Sequence, residues 1–162
     1  MRDNTGFGVV ALASGAEIGP PGQTHKVGTT ARIVDFDQGP DGLLNVVIVG
    51  KERFRILQTT TQSDNLLLGQ VIQLDNLTQL SIPEEFQALS DLFDEISGKV
   101  EITRLGGLSP SSAAELAYNL AQYLPLPIPT KMTILEIDNA LELLQFVSTE
   151  VRTLQRQGQS QP

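Results

Sequence analysis

The first half of the chain alternates short apolar runs with turn residues, whereas the second half carries apolar residues at helical spacing. Short runs of β-branched and other apolar residues, separated by Gly, Pro, Asn and Asp, are typical of antiparallel strands joined by hairpins. The runs before Leu80 are FGVVALA, VGTTARIV, LLNVVIVG, KERFRIL and LLLGQVIQL. Because no helical pattern lies between them, they predict an antiparallel, partly closed sheet.

The turns between these runs have their own sequence signals. DQGPDG at residues 37–42 combines Asp, Pro and Gly, which β-turns favour, and predicts a hairpin between the second and third strands. Gly50 predicts another tight turn directly before KERFRIL. Residues 27–57 therefore predict three consecutive antiparallel strands.

After Leu80 the spacing of apolar residues changes to about 3.6, which is typical of helices. A first helix is predicted, with Ser81 and Glu84 as a capping box at its start. Its apolar stripe consists of Phe86, Leu89, Phe93, Ile96 and Val100. This helix begins a predicted lobe of three to four helices.

Further helices follow two interruptions of this pattern. Ser109 is a predicted N-cap, with Pro110 at the first helical position. The segment PLPIP cannot continue that helix, because proline lacks an amide donor. A short helix is predicted over residues 131–137, and Asp138 is the predicted N-cap of the last helix.

Length and composition set the organisation of the chain. Its 162 residues suffice for one substantial domain or two small lobes. We expect a β lobe over residues 1–78, a helical lobe over 79–155 and a disordered tail over 156–162, where Gln and Ser replace apolar residues. The predicted fold class is α+β.

Cysteine content, hydropathy and charge indicate where the protein is located and which classes of partner it binds. The chain has no cysteine, which excludes disulfides and favours a cytoplasmic location. No apolar run approaches the ~18 residues of a membrane span, so no membrane contact is expected. The net charge of −8 disfavours general nucleic-acid binding, because phosphate backbones attract cationic surfaces. Lys51, Arg53 and Arg55 alternate along a predicted strand and could form a small basic stripe.

The carboxylate groups that could bind a metal have a plainer interpretation. Asp35, Asp37 and Asp41 have the spacing of a calcium loop, but Pro40 occupies the position that requires glycine, so a turn is favoured. The carboxylates of the first helix lie opposite its apolar stripe and predict a solvated face. They are Asp91, Asp94 and Glu95.

His25 is the only histidine and lies in a Pro/Gly-rich loop. A zinc site would need further Cys or His ligands, and a small hydrolase would need a Ser or Asp nucleophile that the sequence does not identify. An exposed loop histidine is therefore favoured. The sequence also lacks a phosphate-binding loop of the GxxxxGKS/T type. It predicts no catalytic residue, no cofactor and no metal.

The strand order of residues 27–57 resembles the N-terminal substrate-binding domain of Lon proteases. In that family a strand of the type vGt.a.I, a polar hairpin and a strand of the type v.G..RFrI follow one another. The matching residues are Val27, Gly28, Thr29, Ala31, Ile33, Gly50, Arg53, Phe54 and Ile56. The helical pattern of the family matches Leu124, Pro125, Lys131, Ile134, Leu135, Glu136, Asp138, Leu141 and Leu144. The likeness covers roughly residues 6–155.

The resemblance implies a PUA-like pseudo-barrel sheet followed by the helical lobe. It also implies a non-enzymatic module that binds unfolded or flagged polypeptides, since the ATPase and peptidase domains of full-length Lon proteases have no counterpart in this sequence. Family members carry a Pro/Leu/Phe-rich strand region and a short helix before the segment equivalent to residues 7–12. This sequence begins after them, so the β lobe is expected to be incomplete relative to the family.

Five leucines are candidates for binding a polypeptide substrate or partner protein. They are Leu66, Leu67, Leu68, Leu105 and Leu108. The first three are consecutive, so a strand with one exposed face must show at least one of them to solvent or to a partner. The other two flank a double glycine between helices and could line a groove. Burial of all five in the core is the alternative interpretation.

The predicted binding mode combines apolar contacts with strand addition at an open sheet edge. The same edge could instead pair two copies of the chain as a homodimer. A PUA-like RNA-binding module is the alternative function, and the negative net charge disfavours it.

Overall fold

The structure, a computed structural model, describes residues 6–15, 22–99 and 109–159. Within them, antiparallel strands are followed by four α-helices, which confirms the predicted α+β class. The chain divides into two compact units, Met1–Asn76 and Leu77–Pro162. We retain the ranges 1–78 and 79–155 as a proposal for the two domains.

The first unit is built from strands. They are β1 (Phe7–Val9), β2 (Leu12–Ser14), β3 (Gln23–Thr24), β4 (Val27–Gln38), β5 (Leu44–Thr61) and β6 (Leu67–Gln73). In the larger sheet the order is β1-β4-β5-β6, and every pairing is antiparallel. β2 and β3 pair in a separate two-stranded sheet, so the predicted FGVVALA strand is divided between β1 and β2.

The predicted turn at Gly50 is wrong, because β5 runs without interruption from Leu44 to Thr61. The pairing with β4 instead shifts register at this point: Ala31 pairs with Gly50, whereas Thr29 pairs with Arg53. Such a β-bulge bends and twists a strand without ending it. Glycine favours both bulges and turns, so the residue type alone did not distinguish them.

The second unit is helical. A 3-10 turn at Glu84–Phe86 leads into α1 (Gln87–Lys99), which is followed by α2 (Ala113–Tyr123), α3 (Ile128–Glu136) and α4 (Ala140–Gln159). The large buried side chains of its core include Phe86, Leu89, Phe93, Leu116, Leu120, Leu143, Leu144 and Val147. Burying each such side chain contributes roughly 1.5–3 kcal/mol, which makes this core the main stabilising feature of the unit. In the described residues, no helix has the length and apolar character to cross a membrane.

The predicted capping box at the first helix is wrong. The 3-10 turn begins after Pro83, and no side chain accepts a hydrogen bond at its cap. Phe86, Leu89 and Phe93 are buried as predicted, and Val100 lies outside the described residues. The apolar spacing thus identified the buried face more reliably than the polar residues identified the first turn.

Helices α2 and α4 begin later than predicted. Ser112, and not Ser109, is the N-cap of α2. The Asn139 Oδ1 atom accepts hydrogen bonds from the amides of residues 141 and 142 at 2.9 and 3.1 Å, so this residue caps α4 in place of Asp138. Every one of these residue types favours the N-cap position, and the competing caps lie within one to three residues of each other in the sequence.

The two remaining helix boundaries also differ. α3 begins at Ile128 and not at residue 131, because a proline is compatible with the first helical turn. α4 continues to Gln159, so helix covers part of the tail that was predicted to be disordered over residues 156–162. The helix extends beyond its last buried residue because a long helix tolerates a polar final turn.

A reciprocal capping box stabilises the start of α2. The Ser112 Oγ atom accepts a hydrogen bond from the Glu115 amide at 3.3 Å. In return, Glu115 Oε2 accepts hydrogen bonds from the amide and the hydroxyl of Ser111, both at 2.8 Å. These bonds from Ser111 lower the pKa of the Glu115 carboxyl below its ordinary value, because they favour the ionised form.

We expect Glu115→Gln to lower the free energy of unfolding at neutral pH by about 0.5 kcal/mol, because the amide accepts a weaker hydrogen bond than the carboxylate. Since folding lowers this pKa, the contribution is present above the ordinary glutamate pKa. It is lost as pH falls through the folded-state value. Urea unfolding followed by far-UV circular dichroism across this pH range measures the difference. Asp94→Asn on α1 is the control, and a difference between Glu115→Gln and wild type that does not change with pH would contradict the assignment.

Candidate functional site

The pairing of β4 with β5 extends beyond both neighbouring strands. β1 pairs only with residues 29–31 of β4, and β6 pairs only with residues 54–61 of β5. The β4–β5 pairing itself continues to Gln38 and Leu44. Residues 32–38 and 44–50 therefore form a two-stranded ribbon whose outer edges have no strand partner in the described residues. We call this segment the β4–β5 ribbon.

A tight turn closes the ribbon at residues 39–43. The Gly39 amide donates to the Leu43 carbonyl at 2.8 Å, and the Gly42 amide donates to the Gly39 carbonyl at 2.9 Å. Gly42 has a φ of 81°, which glycine adopts without strain. Asp41 Oδ1 accepts a hydrogen bond from the Leu43 amide at 3.1 Å. The DQGPDG segment thus forms the turn between these strands.

The ribbon has two chemically different faces. Cross-strand partners lie on the same face of an antiparallel pair, so the register assigns each side chain. One face carries Ile33, Phe36, Gln38, Leu44, Val46 and Ile48. The other carries Arg32, Asp35, Asp37, Asn45, Val47 and Val49. A register shift between Ile33 and Asp35 keeps both carboxylates off the apolar face.

The apolar face of the ribbon is open to solvent. Phe36 is 70% exposed, Leu44 is 63% exposed and Val46 is 45% exposed. Contiguous exposed apolar surface of this kind marks interaction sites in soluble proteins, whereas single exposed apolar residues do not. The ribbon is therefore the first part of the candidate binding surface.

A cavity of about 210 Å³ in the larger sheet is the second part. Its lining includes β1 and β6, which are the terminal strands in the sheet order. The sheet is therefore curled, as the predicted pseudo-barrel requires. The lining is mostly apolar and includes Phe7, Val10, Phe54, Ile56, Leu67 and Val71. We call this cavity the sheet hollow.

Two glycines allow the Phe54 ring to lie against the neighbouring strands. A Cβ atom at Gly8 would lie 2.9 Å from Phe54 Cζ, and one at Gly28 would lie 2.7 Å from the same atom. A Cβ at Gly28 would also overlap the Val10 side chain. Phe54 is only 5% exposed, and its ring forms part of the wall of the sheet hollow.

The predicted partner-binding leucines have different environments. Leu66 and Leu68 are exposed, at 54% and 44%, whereas Leu67 is half-buried and lines the sheet hollow. Leu105 and Leu108 lie outside the described residues. The structure therefore brings only Leu67 to the sheet hollow, and the partner-binding role of these leucines stays a prediction.

The predicted basic stripe is not an exposed patch of three residues. Arg53 is buried, and its Nη2 atom donates to the Asp75 carbonyl oxygen at 3.0 Å. Lys51 and Arg55 are exposed. The β-bulge beside Arg53 disrupts the simple alternation on which the prediction depended. The guanidinium of Arg53 therefore has a structural role.

His25 is half-buried and not exposed as predicted. It lines a cavity of about 420 Å³ whose walls include several polar residues, among them Gln23, Gln58 and Thr61. The His25 amide donates to the Ala11 carbonyl oxygen at 2.9 Å, which connects this loop to the residue preceding β2. No group of three or more metal-ligating side chains occurs in the part of the chain that the structure describes.

Sequence reasoning did not identify the ribbon as a binding surface. Its signal was the run LLNVVIV, which is apolar at consecutive positions and not at alternate ones. Such a run is usual for strands that are buried on both faces, so burial was the more natural interpretation. The signal that could have found it is the combination of this run with the strand before the turn, where Asp35 and Asp37 are unsuited to burial.

The chain belongs to the family of ATP-dependent protease La (LON) substrate-binding domains, whose model matches residues 1–152. This confirms the resemblance in strand order and helical pattern. The family assignment defines a substrate-binding domain.

Two curated relatives illustrate the relationship. The Lon protease of Vibrio parahaemolyticus is 29% identical over 135 residues, which are 79% of this chain and 17% of the relative. The Lon protease of Azorhizobium caulinodans is 26% identical over 144 residues, 81% of this chain and 16% of the relative. The chain thus spans about one sixth of the length of these relatives.

Solved structures share the fold. A Lon N-terminal domain protein from Xanthomonas campestris superimposes with a TM-score of 0.71 at 23% identity, covering 90% of this chain and 75% of that one. The N-terminal domain of the Mycobacterium avium complex Lon protease has a TM-score of 0.51 at 16% identity, with coverages of 86% and 74%. These matches agree with the observed antiparallel sheet and helices.

We expect Gly28→Ala to destabilise the β unit by roughly 1–3 kcal/mol, because the added methyl group would displace Phe54 and Val10. Gly69→Ala is the matched control, since a Cβ there would meet Val71 Cγ1 at an ordinary 3.5 Å. Thermal unfolding monitored by circular dichroism in the strand region compares the two variants. Equal melting temperatures would show that the close approach of Gly28 to Phe54 does not limit packing.

Proposed function

We propose that this chain is a recognition module that binds polypeptide segments and does not transform them. Membership of a substrate-binding family supports the general role. Exposed apolar surface in the β unit supports a polypeptide as the ligand, since unfolded chains offer apolar side chains and unpaired backbone groups together. The exposed apolar face of the β4–β5 ribbon is the observation that carries this proposal.

The two parts of the surface suit different features of an extended chain. The sheet hollow, with a volume of about 210 Å³ and a mostly apolar lining, suits a large apolar side chain of a bound segment. The ribbon offers an exposed apolar face, and its outer edges have no strand partner in the described residues. Covering exposed apolar area contributes about 25 cal/mol per Å², so a segment that covers Phe36 and Leu44 gains affinity without needing a specific sequence.

The proposal also includes the location of the protein, its partner and a role without catalysis. We infer a non-enzymatic role, with polypeptide as the partner and the cytoplasm as the location. Two observations support this: the matching family model describes a substrate-binding domain, and the lining of the sheet hollow is mostly apolar.

We expect the double variant Phe36→Ser, Leu44→Ser to bind a permanently unfolded protein about tenfold more weakly, since two exposed apolar anchors are lost. Fluorescence anisotropy with labelled, reduced and carboxymethylated lactalbumin measures the affinity. Leu141→Ser is the control, because Leu141 is also an exposed apolar residue, at 41%, but lies on α4 of the helical unit. Unchanged binding by the double variant would refute the ribbon as the binding surface.

A second copy of this chain is the competing occupant of an open strand edge. We expect self-association that increases with protein concentration and decreases when unfolded polypeptide is added, because both use unpaired backbone groups. Sedimentation velocity over a range of concentrations measures it. A monomer at every concentration would exclude the homodimer, and it would not contradict polypeptide binding.

A further inference from the structure

The outer edge of β4 in the ribbon places the exposed Phe36 between two aspartates, Asp35 and Asp37. We propose that residues 32–38 of β4 accept an added strand in which apolar residues alternate with lysine or arginine. This inference rests on the proposed function, because it specifies which polypeptides the β4–β5 ribbon prefers. In the described residues this edge has no strand partner, since the β1 pairing ends at Ala31.

The two faces of β4 impose the alternation. Phe36 lies on the apolar face, whereas its neighbours Asp35 and Asp37 lie on the opposite face. Successive residues of an added strand also point to opposite faces. Every second side chain would therefore meet Phe36 and the apolar face, and the intervening side chains would meet the two carboxylates.

The charge on this edge favours cations. From residue 32 to residue 50 the ionisable side chains are Arg32, Asp35, Asp37 and Asp41, which give this segment a net charge of −2. Asp35 Oδ1 accepts from the Phe36 amide at 2.9 Å, and Asp37 Oδ1 accepts from the Gln38 amide at 2.8 Å. These local bonds occupy the Phe36 and Gln38 amides, so an added strand would take over these two amides and release both exposed carboxylates for its cationic side chains. Opposite charges on adjacent strands attract, and like charges repel.

The same charges disfavour a second copy at this edge. An antiparallel pair of two β4 edges would place four carboxylates, from Asp35 and Asp37 of both copies, on one face with only two Arg32 side chains, so a net charge of −2 opposes the pairing. The outer edge of β5 lacks this selectivity, because its residues 44–50 are apolar on both faces apart from Asn45 and Gly50. The β4 edge therefore suits a foreign cationic strand, and the β5 edge does not discriminate by charge.

The test uses a short acetylated peptide that alternates valine with lysine, titrated into the full chain at low ionic strength. A peptide of the same composition with the valines and lysines in separate blocks tests the alternation, and a valine–glutamate peptide tests the charge. The variant Asp35→Asn, Asp37→Asn removes both charges and keeps the side-chain oxygens that accept the local hydrogen bonds. Asp64→Asn is the matched control, because Asp64 Oδ1 likewise accepts from a nearby amide, that of Leu66.

We expect the alternating cationic peptide to bind more tightly than both other peptides. Its affinity should fall about fivefold in the Asp35→Asn, Asp37→Asn variant, decrease with added salt and stay unchanged in Asp64→Asn. Two further peptides carry N-methyl groups on their backbone amides, one at the odd-numbered residues and the other at the even-numbered residues. Only one of these two peptides should lose binding, because alternate amides of an added strand point to opposite sides and only one side pairs with β4. Equal loss of binding by both methylated peptides would argue against strand addition.

Two results would overturn the inference. One is equal affinity for the lysine and glutamate peptides, and the other is unchanged binding in the Asp35→Asn, Asp37→Asn variant. Failure of the proposed function is distinguishable, because it would also abolish binding of carboxymethylated lactalbumin. If lactalbumin binds and all three peptides bind with equal affinity, the chain is a polypeptide-binding module that does not prefer alternating cationic segments.

Discussion

The long antiparallel pairing of β4 with β5 is the interaction on which the β unit depends. It connects the turn at residues 39–43 to the buried residues Val27 and Phe54 at its other end. At the buried end, β1 and β6 flank the pair and the sheet curls around a hollow. At the turn end, no other strand among the described residues pairs with β4 or β5. One ladder of backbone hydrogen bonds thus supplies both a packed core and an unpaired edge.

Much of this architecture could be predicted from residue patterns. The change from strand runs to helical spacing near Leu80 indicated an α+β chain, and the Asp/Pro/Gly segment indicated the hairpin turn. The positions that failed are those at which several residues compete for one role. Gly50 could form a turn or a bulge, and Ser109 or Ser112 could cap α2. Tertiary contacts decide such choices, and a local pattern does not contain them.

The candidate site was harder to predict than the fold. Leu66 and Leu68 were identified as potentially exposed, and they are, but the larger apolar surface lies on Phe36, Leu44 and Val46. Which of these side chains share a face depends on the register shift between Ile33 and Asp35, and the sequence does not reveal a bulge of that kind. Whether a residue of β4 or β5 is buried depends on the neighbouring strands, and the pairings with β1 and β6 do not reach residues 32–38 and 44–50.

The unequal lengths of the strands also have a consequence for motion. A strand in the centre of a sheet is hydrogen-bonded to neighbouring strands on both sides, whereas β4 and β5 in the ribbon have a strand neighbour on one side only in the described residues. Opening should therefore start at the 39–43 turn and propagate toward Gly50, and Phe54 should be the last to loosen. The end of the sheet that we propose as the polypeptide-binding surface is thus also the end that opens most readily.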